Sequence, residues 1–510
     1  MNLPATLDES HRQLLEYDRK VTTLERELTY VKEQLRLTLA KLWGRSSEKR
    51  PPESSPQQAL LFPTEAPPPA PEKRKQITYE RRAPVQGKVP EGTRFPDHLE
   101  RKVTVIDEAQ GQPAIRKVTE RLAARGSAFY VERIERLVRK VDDTLVTPEL
   151  PAPVLDRTTV DVSFLVYVII AKYVWHLPLY RQEQMLKSQQ IRLSRDTLIR
   201  YVISCASLLK PIYVALGVKL FESSHLFGDE TPVTVKLGGK GYVETRFWAF
   251  LGEAGCAFYH TPTRAFTEVE PLIKGFQGTL QCDGYTVYEK ISKEFPEVVL
   301  AGCWAHVRRK FVEAENGGNA DLASEALRYI RALYRVERWC REKELKPPKV
   351  VRLRRRHSRK IVRLFHSWLK ARASDPGLLP KSLFMAAVSY TMKRWDALTR
   401  YIDDPKVAID SNAVEREFRP VALGRKNWLF CASEEGAESS AILYSLIASC
   451  RLAGVDPWDY LIDVLERISV HPASQVHELF PSNWKRLVER EAPQKTKLQD
   501  GALADQKPPR

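Results

Sequence analysis

Three acidic residues stand where the sequence could support metal-dependent phosphate chemistry. Asp229 and Asp283 each close a short apolar stretch of strand character, and turn-forming residues follow both. Carboxylates at neighbouring strand ends repel one another unless a cation lies between them. Glu415, in a segment of helix-forming character, would supply a third carboxylate. Oxygen ligands of this kind suit Mg²⁺ or Mn²⁺, and two such ions support in-line displacement at phosphorus.

Each of these acids also has an ordinary explanation, as a turn residue, a helix cap or one half of a surface ion pair. The surroundings of Glu415 favour the catalytic interpretation, because basic side chains that could hold a phosphate strand follow it. These are Arg416, Arg419, Arg425 and Lys426. The alternative, in which Arg416 and Arg419 brace Glu415 instead of contacting DNA, stays open.

The segment around Glu415 predicts a short helix. Asn412–Phe418 has helix-forming character, and either Asp410 or Ser411 can cap its amino terminus. Pro420 is expected to end this helix or to start a new turn. Gly424 is expected to let the backbone turn before the last two cations.

The two aspartates lie in a stretch where the apolar period changes from that of helices to that of strands. Five strands are predicted there: 225–229, 242–251, 256–260, 280–283 and 298–302. Three antiparallel strands, a helix, and then strands alternating with helices indicate an α/β sheet of ribonuclease-H type. Gly238–Gly241 is a turn and lacks the residues of a phosphate-binding loop.

A heptad pattern near the amino terminus predicts a coiled coil. Its first seam is Leu7, Leu14, Val21, Leu28, Leu35 and Leu42, and its second is Tyr17, Leu24, Val31 and Thr38. The favoured interpretation is self-association, most simply as a dimer. The alternative is a helix that packs on its own domain.

Composition points to a polyanionic partner. Basic residues exceed acidic ones to give a net charge of +17, which favours nucleic acid. No membrane span is expected, because the longest apolar run, 160–174, is short and contains Asp161 and Lys172. Seven cysteines without paired spacing indicate a reducing compartment.

Three further regions have distinct patterns. The stretch 99–153 is rich in strand-forming residues, and 180–188 with 194–206 has helix-turn-helix dimensions, with Ser194 as a cap. An ordinary helical hairpin explains the second pattern equally well. The stretch 311–403 is helical and strongly basic, and contact with DNA is favoured over a solvated helix face.

Taken together, these motifs resemble the insertion-sequence-66 family of bacterial transposases, over nearly the whole length. The matching segments are 42–49, His176–Arg181, Asp229–Pro232, Asp283–Tyr285, Cys303–His306 with Arg308 and Arg309, Asn412–Arg416, Arg419–Pro420, Gly424–Phe430, Tyr444–Leu446 and Pro457–Leu461.

The resemblance implies that Asp229, Asp283 and Glu415 form an Asp-Asp-Glu triad that binds two Mg²⁺ or Mn²⁺ ions. It implies a retroviral-integrase-like fold with a large helical insertion, and a Cys-x-x-His signature, Cys303 and His306, with a structural role near the site. The family usually has a cysteine-rich zinc module, but 115–147 has no cysteine here. Zinc is therefore not expected.

We therefore expect a DNA transposase that cleaves the ends of an insertion sequence and transfers the 3′-hydroxyl into target DNA. Arg308, Arg309, Arg416, Arg419, Arg425 and Lys426 are the candidate DNA-binding residues. The alternative is a catalytically silent, transposase-derived DNA-binding or regulatory protein. The resemblance also implies a bacterial cytoplasmic, nucleoid-associated location and accessory proteins encoded by the same element.

The expected organisation is an N-terminal coiled coil, a ribonuclease-H-like core and a helical insertion. The boundaries are a coiled-coil helix at 1–50, a flexible basic linker at 51–95, a degenerate cysteine-free zinc-ribbon-like β module at 96–155, a helix-turn-helix-like region at 156–220, the catalytic core at 221–310 and 404–436, the basic insertion at 311–403, a C-terminal helical unit at 437–490 and a disordered tail at 491–510.

Overall fold

The computed structural model describes residues 95–107, 112–126, 128–141, 144–156, 158–239, 241–317 and 319–487. The coiled coil predicted over 1–50, nearly all of the linker and the tail over 491–510 lie outside these residues. The chain forms two compact units. The sheet unit comprises the described parts of Val89–Ala305 and Asp396–Arg510, and the described part of the helical unit is His306–Trp395.

The sheet unit begins with a small β module. Its strands are β1 (Arg101–Ile106), β2 (Gln112–Arg125), β3 (Ala128–Val141) and β4 (Thr144–Val146). Strand β3 is central, since it pairs parallel with β1 and antiparallel with β2 and β4. Alternating charged residues on β1, β2 and β3 form ion pairs across one face, among them Arg101–Glu120 and Arg133–Glu135.

Three helices follow: α1 (Val162–Tyr173), α2 (Leu179–Ser188) and α3 (Arg195–Phe221). The predicted cap of α3 is confirmed, because the Ser194 hydroxyl accepts the Thr197 N–H at 3.2 Å. Among the described helices, α3 has a length and composition that a membrane span would also have. It packs instead on a strand, since the Tyr213 hydroxyl donates to the carbonyl of Phe258 at 2.9 Å.

A five-stranded mixed sheet forms the core of the sheet unit. Its elements are β5 (His225–Leu237), β6 (Gly241–Gly252), β7 (Gly255–Thr261), α4 (Phe266–Ile273), β8 (Gly278–Gln281), α5 (Thr286–Glu294) and β9 (Val298–Ala301). The strand order is β7-β6-β5-β8-β9. The first three strands are antiparallel, whereas β5, β8 and β9 are parallel, with α4 and α5 as the connecting helices.

The predicted end of the first strand at Asp229 is wrong. Strand β5 continues to Leu237, because β6 remains paired with it as far as Leu237↔Gly241. Only the parallel partner ends early, since β8 pairs with β5 no further than Phe227↔Gln281. Asp229 therefore lies at the carboxyl edge of the parallel part of the sheet but inside an antiparallel hairpin.

The helical unit follows β9 in the chain. Its helices are α6 (Trp304–Glu315), whose first two residues belong to the sheet unit, α7 (Ala320–Glu342), α8 (Pro347–Leu353), α9 (Arg359–Ala373) and α10 (Leu383–Lys393), and a π-helical turn, Arg354–Ser358, joins α8 to α9. The short helix α11 (Trp395–Thr399) begins at the last residue of the helical unit and continues in the sheet unit. Phe311 is fully buried, with its ring centroid 6.1 Å from that of Phe365 and 5.9 Å from that of Phe384. This aromatic cluster forms the apolar core of a unit whose sequence is strongly basic.

Three helices complete the sheet unit: α12 (Asn412–Trp428), α13 (Glu434–Ala453) and α14 (Pro457–Arg467). Helix α13 covers the free edge of β7, where the hydroxyls of Ser445 and Ser449 accept the N–H groups of Phe258 and Cys256. This arrangement satisfies edge donors that would otherwise be available for pairing with another strand.

Helix α12 is longer than predicted. It does not end at Pro420, which lies buried inside it, and Gly424 is also helical. Gly424 has a packing role instead of the predicted turning role, since a Cβ there would clash with the Trp428 ring. The apolar face of α12, including Val414 and Phe418, continues across the proline and is buried, so burial outweighs the loss of one backbone hydrogen bond.

Candidate active site

The register of the sheet brings Asp229 and Asp283 to the same edge. The last parallel pair between β5 and β8 is Phe227↔Gln281. Each aspartate lies two residues beyond its member of that pair, so continuation of the register sets the two acids opposite one another. On the other side of β5, Asp229 pairs with Ala249 of β6, which fixes its strand on both sides.

Main-chain donors hold the two aspartate side chains. Asp229 Oδ1 accepts the N–H of Glu230 at 2.9 Å, and Asp283 Oδ1 accepts the N–H of Tyr285 at 2.9 Å. In the described part of the chain, neither aspartate forms an ion pair with a lysine or arginine. Two acids are thus oriented by the backbone, while their charge is left for another group to neutralise.

Glu415 lies in the first turn of α12. The start of this helix is fixed by two contacts, in which Asp410 Oδ1 accepts the Asn412 N–H at 3.2 Å and Cys303 Sγ accepts the Ser411 N–H at 3.3 Å. The residue in the N-cap position is Ser411, but its side chain makes no capping bond. The capping oxygen therefore comes from Asp410, one of the two predicted candidates.

Packing against the sheet fixes the rest of α12. Phe418 contacts Phe258 of β7, with ring centroids 5.5 Å apart. Beyond the helix, Cys431 pairs with the distal half of β5: its N–H donates to Thr234 and its carbonyl accepts from Lys236, each at 2.8 Å. The extension of β5 beyond Asp229 therefore anchors the helix that carries Glu415.

The electrostatics of Asp229 show that the acids are close. Burial, which has the largest effect, and the negative charges of Glu230, Asp283 and Glu415 together raise the pKa of the Asp229 carboxyl from 3.8 to about 8. Three carboxylates that act on one another in this way cannot all be ionised at low cost without a cation. The donor set consists of carboxylate oxygens, which fits Mg²⁺ or Mn²⁺.

The predicted cations on α12 differ in their environment. Arg416, Arg419 and Lys426 are exposed. Arg425 is half-buried, and its Nη1 donates to the hydroxyl of Thr231 at 3.3 Å and to the carbonyl of Pro232. Arg425 therefore braces the helix against β5, next to Asp229 in the chain.

The remaining predicted site residues follow β9. Cys303 is buried, and its contact with Ser411 joins the end of β9 to the start of α12. The neighbouring Trp304 donates from Nε1 to the carbonyl of Leu398 at 2.8 Å, which secures the same returning segment. His306 and Arg308 are half-buried on α6 and Arg309 is exposed.

Sequence reasoning missed a polar cluster beside the two aspartates. Glu230 is nearly buried, and its carboxylate accepts from Arg264 at 2.5 Å and from the Tyr288 hydroxyl at 3.2 Å. Burial and the charge of Asp283 raise the pKa of Glu230, whereas Arg264 lowers it. The only signal in the sequence was a second acid directly after Asp229, which had been interpreted as part of a turn.

Comparison with known proteins identifies the family. The model of the Transposase IS66 family matches residues 157–439, and that of the IS66 C-terminal element matches residues 445–482. The first match contains the sheet with Asp229 and Asp283, the helical unit and Glu415. All three acids thus lie in the segment that the transposase model covers.

Relatives with substantial identity come from Sinorhizobium fredii (strain NBRC 101917 / NGR234). Uncharacterized protein y4jD is 32% identical over 366 residues, which cover 68% of this chain and 70% of that protein. Uncharacterized protein y4hP is 30% identical over 429 residues, which cover 77% of this chain and 76% of that protein. With the family models matching more than half of its residues, the chain belongs to the IS66 family of transposases.

Proposed function

We propose that this transposase cleaves the ends of its insertion sequence and joins the freed 3′-hydroxyl to target DNA, with Asp229, Asp283 and Glu415 as the catalytic metal ligands. The observation that carries the proposal is the sheet register that brings Asp229 and Asp283 to one edge. The charges of Asp283 and Glu415 add to burial in raising the pKa of Asp229. Acids held so close without cationic partners for the aspartates suit a site for divalent cations.

The strand order supports a catalytic core of ribonuclease-H type. Counted from β5, the sheet has the order 3-2-1-4-5, with three antiparallel strands and two parallel ones. Asp229 lies on the first strand of this core and Asp283 follows the fourth. Glu415 returns on a helix after the long helical insertion, as the resemblance to integrase-like transposases implies.

When bound, divalent cations supply a water of lowered pKa and stabilise the leaving oxygen of an in-line displacement at phosphorus. The protein's own contribution is to orient the carboxylates: main-chain N–H groups hold the aspartates, and α12 holds Glu415. The same arrangement serves both reactions, because water and a 3′-hydroxyl are alternative nucleophiles toward a phosphodiester.

Exposed cations continue from Glu415 along α12. At about 100° per residue, Arg419 and Lys426 lie within about 40° of Glu415 around the helix axis, and both are exposed. We assign these two residues, together with the exposed Arg416, to the DNA strand that enters the site. Arg425 is assigned to bracing, and Arg308 and Arg309 remain candidate DNA contacts of α6.

The proposal extends to assembly and partners. The heptads of 1–50 support a homodimer in which both ends of the element are processed in one complex. Accessory proteins of the same element and a cytoplasmic, nucleoid-associated location are part of the same proposal. Its alternative, a catalytically silent DNA-binding derivative, predicts tight DNA binding without cleavage.

The decisive experiment is strand cleavage and transfer by the purified full chain, with Mg²⁺ and duplex oligonucleotides that carry the element's ends. We expect Asp229→Asn, Asp283→Asn and Glu415→Gln each to lower the rate by about 1,000-fold or more, because each removes a metal ligand. DNA affinity in a mobility-shift assay should change little.

Glu417→Gln is the matched control, since Glu417 lies on the same helix and pairs with Arg451 at 2.8 Å. Its activity should stay within a few-fold of the parent. Activity that survives in the triad variants would overturn the site assignment. An inactive parent that binds the ends tightly would favour the silent derivative.

A further inference from the structure

The polar cluster beside the aspartates forms a continuous chain of contacts from Asp229 to Asp283. Asp229 is held by the N–H of Glu230, and the Glu230 carboxylate pairs with Arg264 at 2.5 Å. The Arg264 guanidinium stacks on the Tyr285 ring, with its carbon 3.6 Å from the ring centroid. The N–H of Tyr285 in turn holds Asp283.

Strand geometry separates the side chains of Asp229 and Glu230. Successive residues on a strand point to opposite faces of the sheet. Glu230 accordingly meets Tyr288 of α5, and the ring of Tyr288 lies 6.0 Å from that of Trp248, the cross-strand partner of Glu230. Glu230 therefore points to the opposite face of the sheet from Asp229.

Arg264 is held in a defined conformation. It lies in the loop between β7 and α4, where the Thr261 hydroxyl donates to the carbonyl of Thr263 at 2.7 Å. The Tyr285 hydroxyl donates to the carbonyl of Arg264 at 3.2 Å. Both the main chain and the guanidinium of Arg264 are thus tied to the residue that holds Asp283.

We propose that Arg264 is a positioning residue, which sets the spacing of Asp229 and Asp283 through its ion pair with Glu230 and its stacking on Tyr285. This inference rests on the proposed function, since it takes the two aspartates as metal ligands. Partners that orient metal ligands in this way usually contribute about 10- to 100-fold to metal affinity.

The test is Mn²⁺ binding to the full chain, followed by electron paramagnetic resonance of the free ion. Arg264→Ala is expected to weaken Mn²⁺ binding about tenfold. Arg264→Lys keeps a positive charge near Glu230 but loses the planar group that stacks on Tyr285. It should restore part of the affinity and thereby distinguish positioning from a loss of folding.

Arg451→Ala is the matched control. The Arg451–Glu417 pair has side-chain exposures of 43% and 12%, against 42% and 7% for Arg264–Glu230. Loss of this pair should leave Mn²⁺ affinity unchanged. Equal losses of affinity in Arg264→Ala and Arg451→Ala would indicate general destabilisation and overturn the positioning role.

Two other outcomes separate this inference from the proposed function. Parent-like Mn²⁺ binding by Arg264→Ala, together with loss of binding by Asp229→Asn, would overturn the inference alone. Mn²⁺ binding that is equal in the parent and in Asp229→Asn would overturn the metal site itself. Arg264→Ala with normal Mn²⁺ affinity but weaker, less salt-dependent DNA binding would reassign Arg264 to a phosphate contact.

Discussion

Two carboxylates of this protein, Glu337 in the helical unit and Asp229 in the sheet unit, have opposite environments. In the helical unit, Glu337 is buried and fully matched: Arg354 donates from Nε and Nη2 to its two oxygens at 2.9 and 2.8 Å. In the sheet unit, Asp229 lies among other acids and receives a backbone N–H but no guanidinium or ammonium group within the described residues.

The contrast distinguishes a carboxylate that stabilises packing from one that we propose as a metal ligand. A bidentate arginine compensates the desolvation of a carboxylate and fixes one packing arrangement. Acids without such a partner instead raise the free energy of the folded protein, and in the proposed metal site a bound cation would offset this cost. The buried Arg354 of the helical unit therefore serves packing, whereas the acidic sheet edge at Asp229 is the proposed place of the chemistry.

The largest expected effect comes from breaking the matched pair. Arg354→Met leaves Glu337 buried and unpaired, which should lower the free energy of unfolding by about 3–5 kcal/mol. Urea unfolding of the full chain, followed by far-ultraviolet circular dichroism, measures this change. Mn²⁺ affinity of the folded protein should not change, because none of the three proposed metal ligands is altered.

The double variant Glu337→Met with Arg354→Met is the control for this experiment. Replacing both members of a buried pair by apolar side chains is often close to neutral. Stability should therefore return to near the parent value. A double variant as unstable as Arg354→Met would show that the ion pair is not what makes the single change costly.

Replacement of Asp229, which has no cationic partner in the described part of the chain, is expected to change the free energy of unfolding by a smaller amount and in the opposite direction. Asp229→Asn removes a carboxyl whose pKa is about 8 in the folded protein and whose ordinary value is 3.8. At pH 7 in the presence of a chelator, the variant should be more stable than the parent by about 2–4 kcal/mol. It should at the same time lose catalysis, so stability and activity would change in opposite directions.

The pH dependence of the free energy of unfolding tests whether Asp229 has this raised pKa. Because the folded pKa of Asp229 is raised, the folded state binds more protons than the unfolded state between about pH 4 and pH 8. Parental stability should therefore fall as pH rises through that window, relative to Asp229→Asn. The difference between the two proteins should be small near pH 4 and largest above pH 8. A difference that does not vary with pH would contradict the assignment of the raised pKa to Asp229.

Sequence reasoning placed Asp229 on its strand and Glu415 near the start of its helix, and it extended the strand before Asp283 two residues too far. It ended β5 at Asp229, however, since the pairing that extends this strand to Leu237 depends on β6 and on the segment at Cys431. It likewise ended α12 near Pro420. Burial of an apolar face on both sides of the proline is a tertiary effect that the proline signal alone does not reveal.

Side-chain roles were harder to predict than elements. Arg354 belongs to a run of seven basic residues within 352–363, and nothing local distinguishes it from its exposed neighbours. The π-helical turn that begins at Arg354 buries it together with Ser358, while Arg355 and Arg356 stay exposed. Arg264 escaped notice because it lies in the loop between β7 and α4, far along the chain from its partner Glu230 on β5.

Lys172 extends the comparison to a buried cation. It lies on α1 over the ring of Trp428, with Nζ 4.1 Å from the centroid, and 5.2 Å from the ring of Tyr173. No carboxylate pairs with it in the part of the chain that the structure describes. Burial lowers the pKa of Lys172 to about 8 from an ordinary value of 10.5, which makes it the counterpart of Asp229 with opposite charge.

The smallest expected effect follows from replacing this lysine. The lowering of the Lys172 pKa corresponds to about 3 kcal/mol of destabilisation at pH 7. Cation–π contacts with the aromatic rings offset about 1–2 kcal/mol of this cost. Lys172→Met should therefore stabilise the protein by about 1–2 kcal/mol at pH 7.

Between pH 8 and 10.5 the unfolded chain binds more protons at Lys172 than the folded protein does, so parental stability should rise with pH relative to the variant. Urea unfolding at pH 7 and pH 9.5 measures both values. A Lys172→Met protein that is less stable than the parent at both pH values would show that the aromatic contacts outweigh the desolvation of the ammonium group. It would also show that aromatic rings alone can stabilise a charged side chain inside the sheet unit.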